Sequence, residues 1–268
     1  MAELRVLAKR TAATPALLAL AVVAWLAVAL VARAMGSMPG TMGLGLLAFA
    51  AVWALMMTAM MVPGVTPFAS VYARQFGERR TARTVAFVSG YLVVWAAAAL
   101  PVYGLARAAD TLVADHPAGA TAAATLTFAV CGIYQLTSLK DRCLARCRSP
   151  LGFAVKYSAY RGRTRDLRVG MHHGGFCLAC CWALMTLLLA FGLMNLSAMA
   201  IIGLVVYTER TTSWGPRLGR LVGVAALVLA VGVIVRPGLA PALRRQPHPV
   251  MNRMTTGPAT TDHTRMSM

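Results

Sequence analysis

Charge is scarce in this chain, and acidic charge most of all. Only 13% of the 268 residues are Asp, Glu, Lys or Arg, and Asp and Glu together number 8, where a soluble globular domain is roughly a quarter charged. No acidic residue falls in the middle of a long apolar run, which removes the usual relay groups of a proton-coupled transporter. There is no phosphate-cradling Gly-rich loop and no His-x-x-x-His zinc helix. An ATP-driven pump and a carboxylate-based metalloenzyme are therefore not expected, and we read no enzyme here. Aromatic residues are only 7%, and none is interleaved with a basic patch as a base-stacking surface requires. The net charge of +18 thus points away from nucleic acid and toward anionic lipid headgroups.

Long apolar runs are what the chain has in abundance. Hydrophobic residues make up 59%, and a run of roughly 20 is enough to cross the hydrocarbon layer as a helix that satisfies its own backbone. The runs predict an all-α polytopic transmembrane helix bundle of about seven spans: Pro15–Val31, Thr41–Val62, Thr84–Leu105, Thr121–Leu139, Gly175–Phe191, Asn195–Tyr207 and Leu218–Val235. Pro63 and Pro67 are expected to end the second span, with Thr66 to Gln75 along the interface. Gly192 and Asn195 are the turn-formers that divide the fifth from the sixth. Residues 1–14 form a short N-terminus, 15–235 the membrane domain, and 236–268 a disordered tail containing Met and His.

Most of the 26 basic residues sit before the first run, in 74–83, in the long connection 140–172 and around 210–220. By the positive-inside rule these segments are cytoplasmic, so the N-terminus is inside and the first helix is uncleaved. The host membrane is read as a bacterial inner membrane.

Five of the six cysteines form two groups, Cys143-x-x-x-Cys147 and Cys177-x-x-Cys180-Cys181. On helices, Cys143 and Cys147 share a face, as do Cys177 and Cys181, with Cys180 beside Cys177. Both groups are expected at the inner membrane boundary, facing a reducing compartment where clustered thiols serve as metal ligands more often than as disulfides. His172 and His173 lie just upstream. Cys131, in mid-span, reads as a small hydrophobe.

Methionine is the second signal. Met56, Met57, Met60 and Met61 cover adjacent faces of one helix, and Met35, Met38 and Met42 lie in or near the first outer loop. Thioethers are soft neutral donors that select Cu(I); the same stripe is also what core packing produces. The tail continues the composition with His248, Met251, Met254, His263, Met266 and Met268.

Three segments then resemble a known family. They are Trp53-Ala-Leu-Met-Met-Thr-Ala-Met-Met-Val-Pro63, Tyr134-Gln135-Leu-Thr-Ser-Leu-Lys140-x-x-Cys143-x-x-x-Cys147-Arg148-Ser-Pro150, and Gly174-Gly-Phe-Cys177-Leu-Ala-Cys180-Cys181-Trp182-Ala-Leu-Met185. The chain is similar here to the predicted metal-binding integral membrane proteins of bacteria, some of which are described as copper chaperones. The resemblance implies a multi-span metal-binding protein whose matching residues are Met56, Met57, Met60, Met61, Gln135, Cys143, Cys147, Cys177, Cys180 and Cys181. Ser138 stands where the family pattern carries proline, and Pro63-Gly64 where it carries Pro-Ser. The expected function is copper handling, with Cu(I) held by the clustered thiols and methionines, Met35, Met38, His172, His173 and Gln135 auxiliary, and delivery to an exported cuproenzyme. The alternatives are a membrane thiol–disulfide oxidoreductase using Cys177-x-x-Cys180 and a structural subunit of a membrane complex.

Overall fold

The computed structural model describes residues 13–35, 40–74, 80–115, 117–149, 157, 160–236 and 239. The described residues contain helices and no strand: α1 (Ala13–Met35), α2 (Leu46–Arg74), α3 (Arg80–Ala97), α4 (Ala99–Asp115), α5 (Pro117–Gln135), α6 (Ser138–Arg148), α7 (Arg165–Phe191), α8 (Leu196–Thr211) and α9 (Gly215–Val235). Only Ala98 separates α3 from α4. Met38, the tail residues His248, Met251, Met254, His263, Met266 and Met268, and residues 1–12 lie outside the described residues.

Five helical stretches are long and apolar enough to cross a membrane, with α3 and α4 counted as one stretch, Arg80–Leu112. The pair α5 and α6, bent by 64° at the break between them, makes up to six. The expected count of seven is not met among the described residues. At 1.5 Å per residue, the 16-residue α8 is only about 24 Å long, short of the roughly 30 Å hydrocarbon layer. The division between the fifth and sixth runs does fall where the turn-formers stand. Gly192 ends α7 with φ +99°, a conformation that favours glycine, and the Asn195 side chain caps α8 by accepting from Ala198 N at 3.0 Å. The outward faces stay apolar, with Val22, Val23, Leu26 and Leu30 of α1 and Leu221, Val224, Val228 and Val231 of α9 all exposed. A hydrocarbon solvent matches such a surface.

Pro63 and Pro67 do not end the second helix. Each removes a backbone donor from the ladder, yet α2 runs on to Arg74. Side chains bond to carbonyls along this stretch, Thr66 Oγ1 to Val62 O and Ser70 Oγ to Thr66 O, each at 2.8 Å. Val65, Phe68, Ala69 and Tyr72 are buried, so packing holds the segment that the sequence placed along the interface.

Small residues bring α3 and α7 into backbone contact. A Cβ on Gly170 would stand 1.9 Å from the Phe87 carbonyl oxygen, and one on Gly90 2.1 Å from that of Leu167. This approach aligns Tyr91 of α3 with Cys177 of α7, whose oxygen and sulfur are 2.9 Å apart. Gly170→Ala is expected to force the helices apart, lowering stability by about 1–3 kcal/mol. Denaturant unfolding in micelles checks this; an unchanged midpoint would show that the pair has room to spare.

The connection 140–172 begins as a helix. α5 ends at Gln135, and α6 starts at Ser138, capped by Thr137, whose side chain accepts from Lys140 N at 3.3 Å. Ser138 is thus the first helical residue, a position that suits proline equally well. α6 folds back against α7, where Arg146 lies 4.9 Å over the ring of Phe176.

Candidate metal centre

The fold brings the two cysteine groups together. Cys147 on α6 places its sulfur 3.8 Å from that of Cys180 on α7, and Cys180 lies 3.3 Å from Cys181. Cys177, Cys180 and Cys181 are buried in the bundle, Cys143 is nearly so, and Cys147 is half-buried. Cys177 is twelve residues into α7, about 18 Å along its axis, and Cys147 is the least buried residue of the five. All six cysteines are free thiols. The sulfurs of Cys180 and Cys181 donate back to the Cys177 carbonyl at 3.2 and 2.9 Å.

A residue on a third helix completes the cluster. The Arg210 guanidinium of α8 donates from one terminal nitrogen to the Cys177 sulfur, and that nitrogen lies 3.3 Å from Cys181 Sγ and 3.8 Å from Cys180 Sγ. The Tyr91 hydroxyl shares a hydrogen bond with the same Cys177 sulfur. A buried cation needs anionic or strongly polar partners, and sulfur supplies them here. Among the described residues, no group of three or more His, Cys, Asp or Glu side chains is arranged to hold a metal ion as it stands.

Glu209, the neighbour of Arg210, meets a different set of partners. Its carboxylate accepts from Lys140 Nζ at 2.7 Å and Gln135 Nε2 at 3.1 Å, while Lys140 also donates to Gln135 Oε1. Gln135, an expected auxiliary ligand, is committed to this buried network rather than to the thiols. It ties the break between α5 and α6 to α8, and so holds α6 and Cys147 in place.

The methionines of α2 are all in the core: Met56, Met57, Met60 and Met61 are 3% exposed or less. Along α2 they precede Gly64, which lies against Arg210. Gly64, four residues after Met60, passes so close to Arg210 that a Cβ there would stand 3.2 Å from its guanidinium. On the other side, a Cβ on Gly203 of α8 would meet Met60 at 3.7–3.9 Å. Met199, one turn before Gly203, and Met185, one turn after Cys181, are also buried. The i, i+4 spacing of Cys181 and Met185 was the available signal for the latter. Met35 is half-buried at the end of α1, and Met42 is buried with φ +58°.

The two histidines diverge. His173 is buried in an aromatic cage, its ring 4.1 Å from that of Phe68 and 6.0 Å from those of Phe87 and Tyr91. His172 is exposed and meets Tyr157 and Phe176 edge-on at 5.2 and 4.9 Å.

A family model described as PpoB2, copper chaperone, matches residues 50–233. The chain belongs to the PpoB2 copper chaperone family. The matched region holds both cysteine groups, the four methionines of α2 and Arg210, and leaves out Met35, Met38 and the tail. No curated protein and no solved structure matches the chain.

Within this copper chaperone family member, Arg210 and Lys140 are the residues that sequence reasoning passed over, counting them only among topology-setting basic residues. The signal lay in α8. Met199, Ile202 and Val206 form a buried stripe, and at helical spacing Glu209 and Arg210 fall on its continuation.

Proposed function

We propose that this chain is a carrier, not a catalyst, that takes up Cu(I) on thiols in a bacterial inner membrane and delivers it toward an exported cuproenzyme. The N-terminus is cytoplasmic in this reading, as the basic segments favour. The observation that carries it is the meeting of Cys147 and Cys180 from separate helices at 3.8 Å. At a metal–sulfur distance of about 2.3 Å, that gap subtends about 110° at a bound ion, so a metal fits with little movement. Cys147, the least buried residue of the cluster, receives the ion, and Cys180 draws it inward. Met60 and Met61 lie about one helical turn from Gly64, the residue against Arg210, and Met56 and Met57 about one turn beyond. Soft ligands at such spacing permit stepwise exchange of a soft ion.

The test separates ligand from filler. Met→Leu preserves volume and apolarity and costs less than about 1.5 kcal/mol in a core. Replacing Met56, Met57, Met60 and Met61 together by Leu should leave Cu(I) bound by the thiols, yet lower metallation of an exported cuproenzyme at limiting copper at least about tenfold. Client activity equal to that of the parent would reduce the methionines to packing.

A further inference from the structure

Arg210 stands where a third or fourth metal ligand would otherwise gather. Its terminal nitrogen touches three of the clustered sulfurs, those of Cys177, Cys180 and Cys181. Gly64 of α2 leaves room for it, since a Cβ there would stand 3.2 Å from the guanidinium. Lys140, also buried, is already matched by Glu209 at 2.7 Å. The acceptors recorded for the Arg210 side chain are sulfurs, and the charge they balance belongs to the cluster.

Building on the copper-carrier reading, we infer that Arg210 is a specificity-determining residue that keeps the cluster selective for Cu(I) over Zn(II). Two effects act together. By holding Cys177 and Cys181 more closely than Cys180, the guanidinium leaves the Cys147–Cys180 pair as the open edge of the cluster. Cu(I) is satisfied by two soft sulfurs, whereas Zn(II) in a closed protein site takes four tetrahedral ligands. Charge works in the same direction. Two thiolates around Cu(I) carry a single negative charge, which Arg210 cancels; the same pair around Zn(II) is neutral, and Arg210 then leaves a net positive charge in a water-poor core, which is costly. Each ligating thiol releases its proton to solvent as its metal–sulfur bond forms, and the metal's oxidation state does not change.

The experiment uses the full chain, purified and reduced in detergent, with Cu(I) and Zn(II) affinities measured by chelator competition. In Arg210→Met the neutral side chain frees Cys177 and Cys181 to join Cys147 and Cys180, and the Cu(I)/Zn(II) preference should fall at least about tenfold. Arg210→Lys keeps the charge but loses the planar fork that spans several acceptors, so its preference should lie between the two. A ratio in Arg210→Met within about threefold of the parent's overturns the inference. If Arg210→Met does not fold, X-ray absorption on the Cu(I)-loaded parent decides, with two sulfur neighbours expected and four refuting the assignment. A parent chain that binds neither metal refutes the copper-carrier reading itself, whereas Cu(I) binding with an unchanged ratio removes only the role of Arg210.

Discussion

Cys180→Ser is expected to weaken Cu(I) binding by more than about 100-fold, the largest loss of any single cysteine replacement. Changes in groups that merely support a metal ligand typically cost 10–100-fold, and this one removes a ligand. From spacing alone, Cys177 and Cys181 would be ranked first, since they share a helical face. The structure moves the weight to Cys180, the sulfur that touches both Cys147 across the helix gap and Cys181 beside it. Serine is nearly isosteric but its oxygen is a hard donor, so the fold should survive while the soft site does not. Cys131→Ser serves as the control, because Cys131 is a buried thiol of α5 outside the cluster. Competition against a strong Cu(I) chelator reads both variants. Parent-like affinity in Cys180→Ser would place the copper elsewhere.

Lys140→Met is expected to destabilise the fold by about 3–5 kcal/mol, because it strands the Glu209 carboxylate in the core. Lys140 and Glu209 are 1% and 2% exposed at their side chains, so water cannot readily replace the lost partner. The second replacement should reverse most of the damage. In Lys140→Met with Glu209→Met no buried charge remains, and apolar substitutes for a buried ion pair are often neutral or better. Unfolding of the two variants in micelles, followed by helical signal, gives the comparison. A single variant as stable as the parent would mean that the pair is solvated rather than buried. The double variant carries a further expectation: the network also fixes α6 against α8, so its Cys147 should be looser and its Cu(I) affinity lower even where stability is regained.

How far the sequence reaches can be judged from particular helices. α1 and α9 are legible as uninterrupted apolar runs, because a helix in hydrocarbon needs little beyond length and apolarity. Gly192 and Asn195 are legible as a break, because their backbone and capping preferences are local. The passage of α2 through Pro63 and Pro67 is not. Proline's missing donor is a local fact, but the burial that keeps the helix going comes from other helices. The bend between α5 and α6 is likewise invisible to a count of apolar residues, and it is what turns an expected loop into the support for Cys147.

Residue types and spacing by themselves determined that the chain is helical, that several helices are long enough to cross a membrane, and that soft donors collect on a few helical faces. Those properties follow from periodicity and side-chain chemistry, which act within about one turn. Tertiary structure alone decided that Cys147 meets Cys180, that Gln135 bonds to Lys140 and Glu209, and that Arg210 stands among the thiols. Apart from the Gln135–Lys140 bond, these contacts join residues between 29 and 74 positions apart. The approach of the helices is set by where glycines let backbones touch and where buried charges find partners, and no local pattern records the pairing.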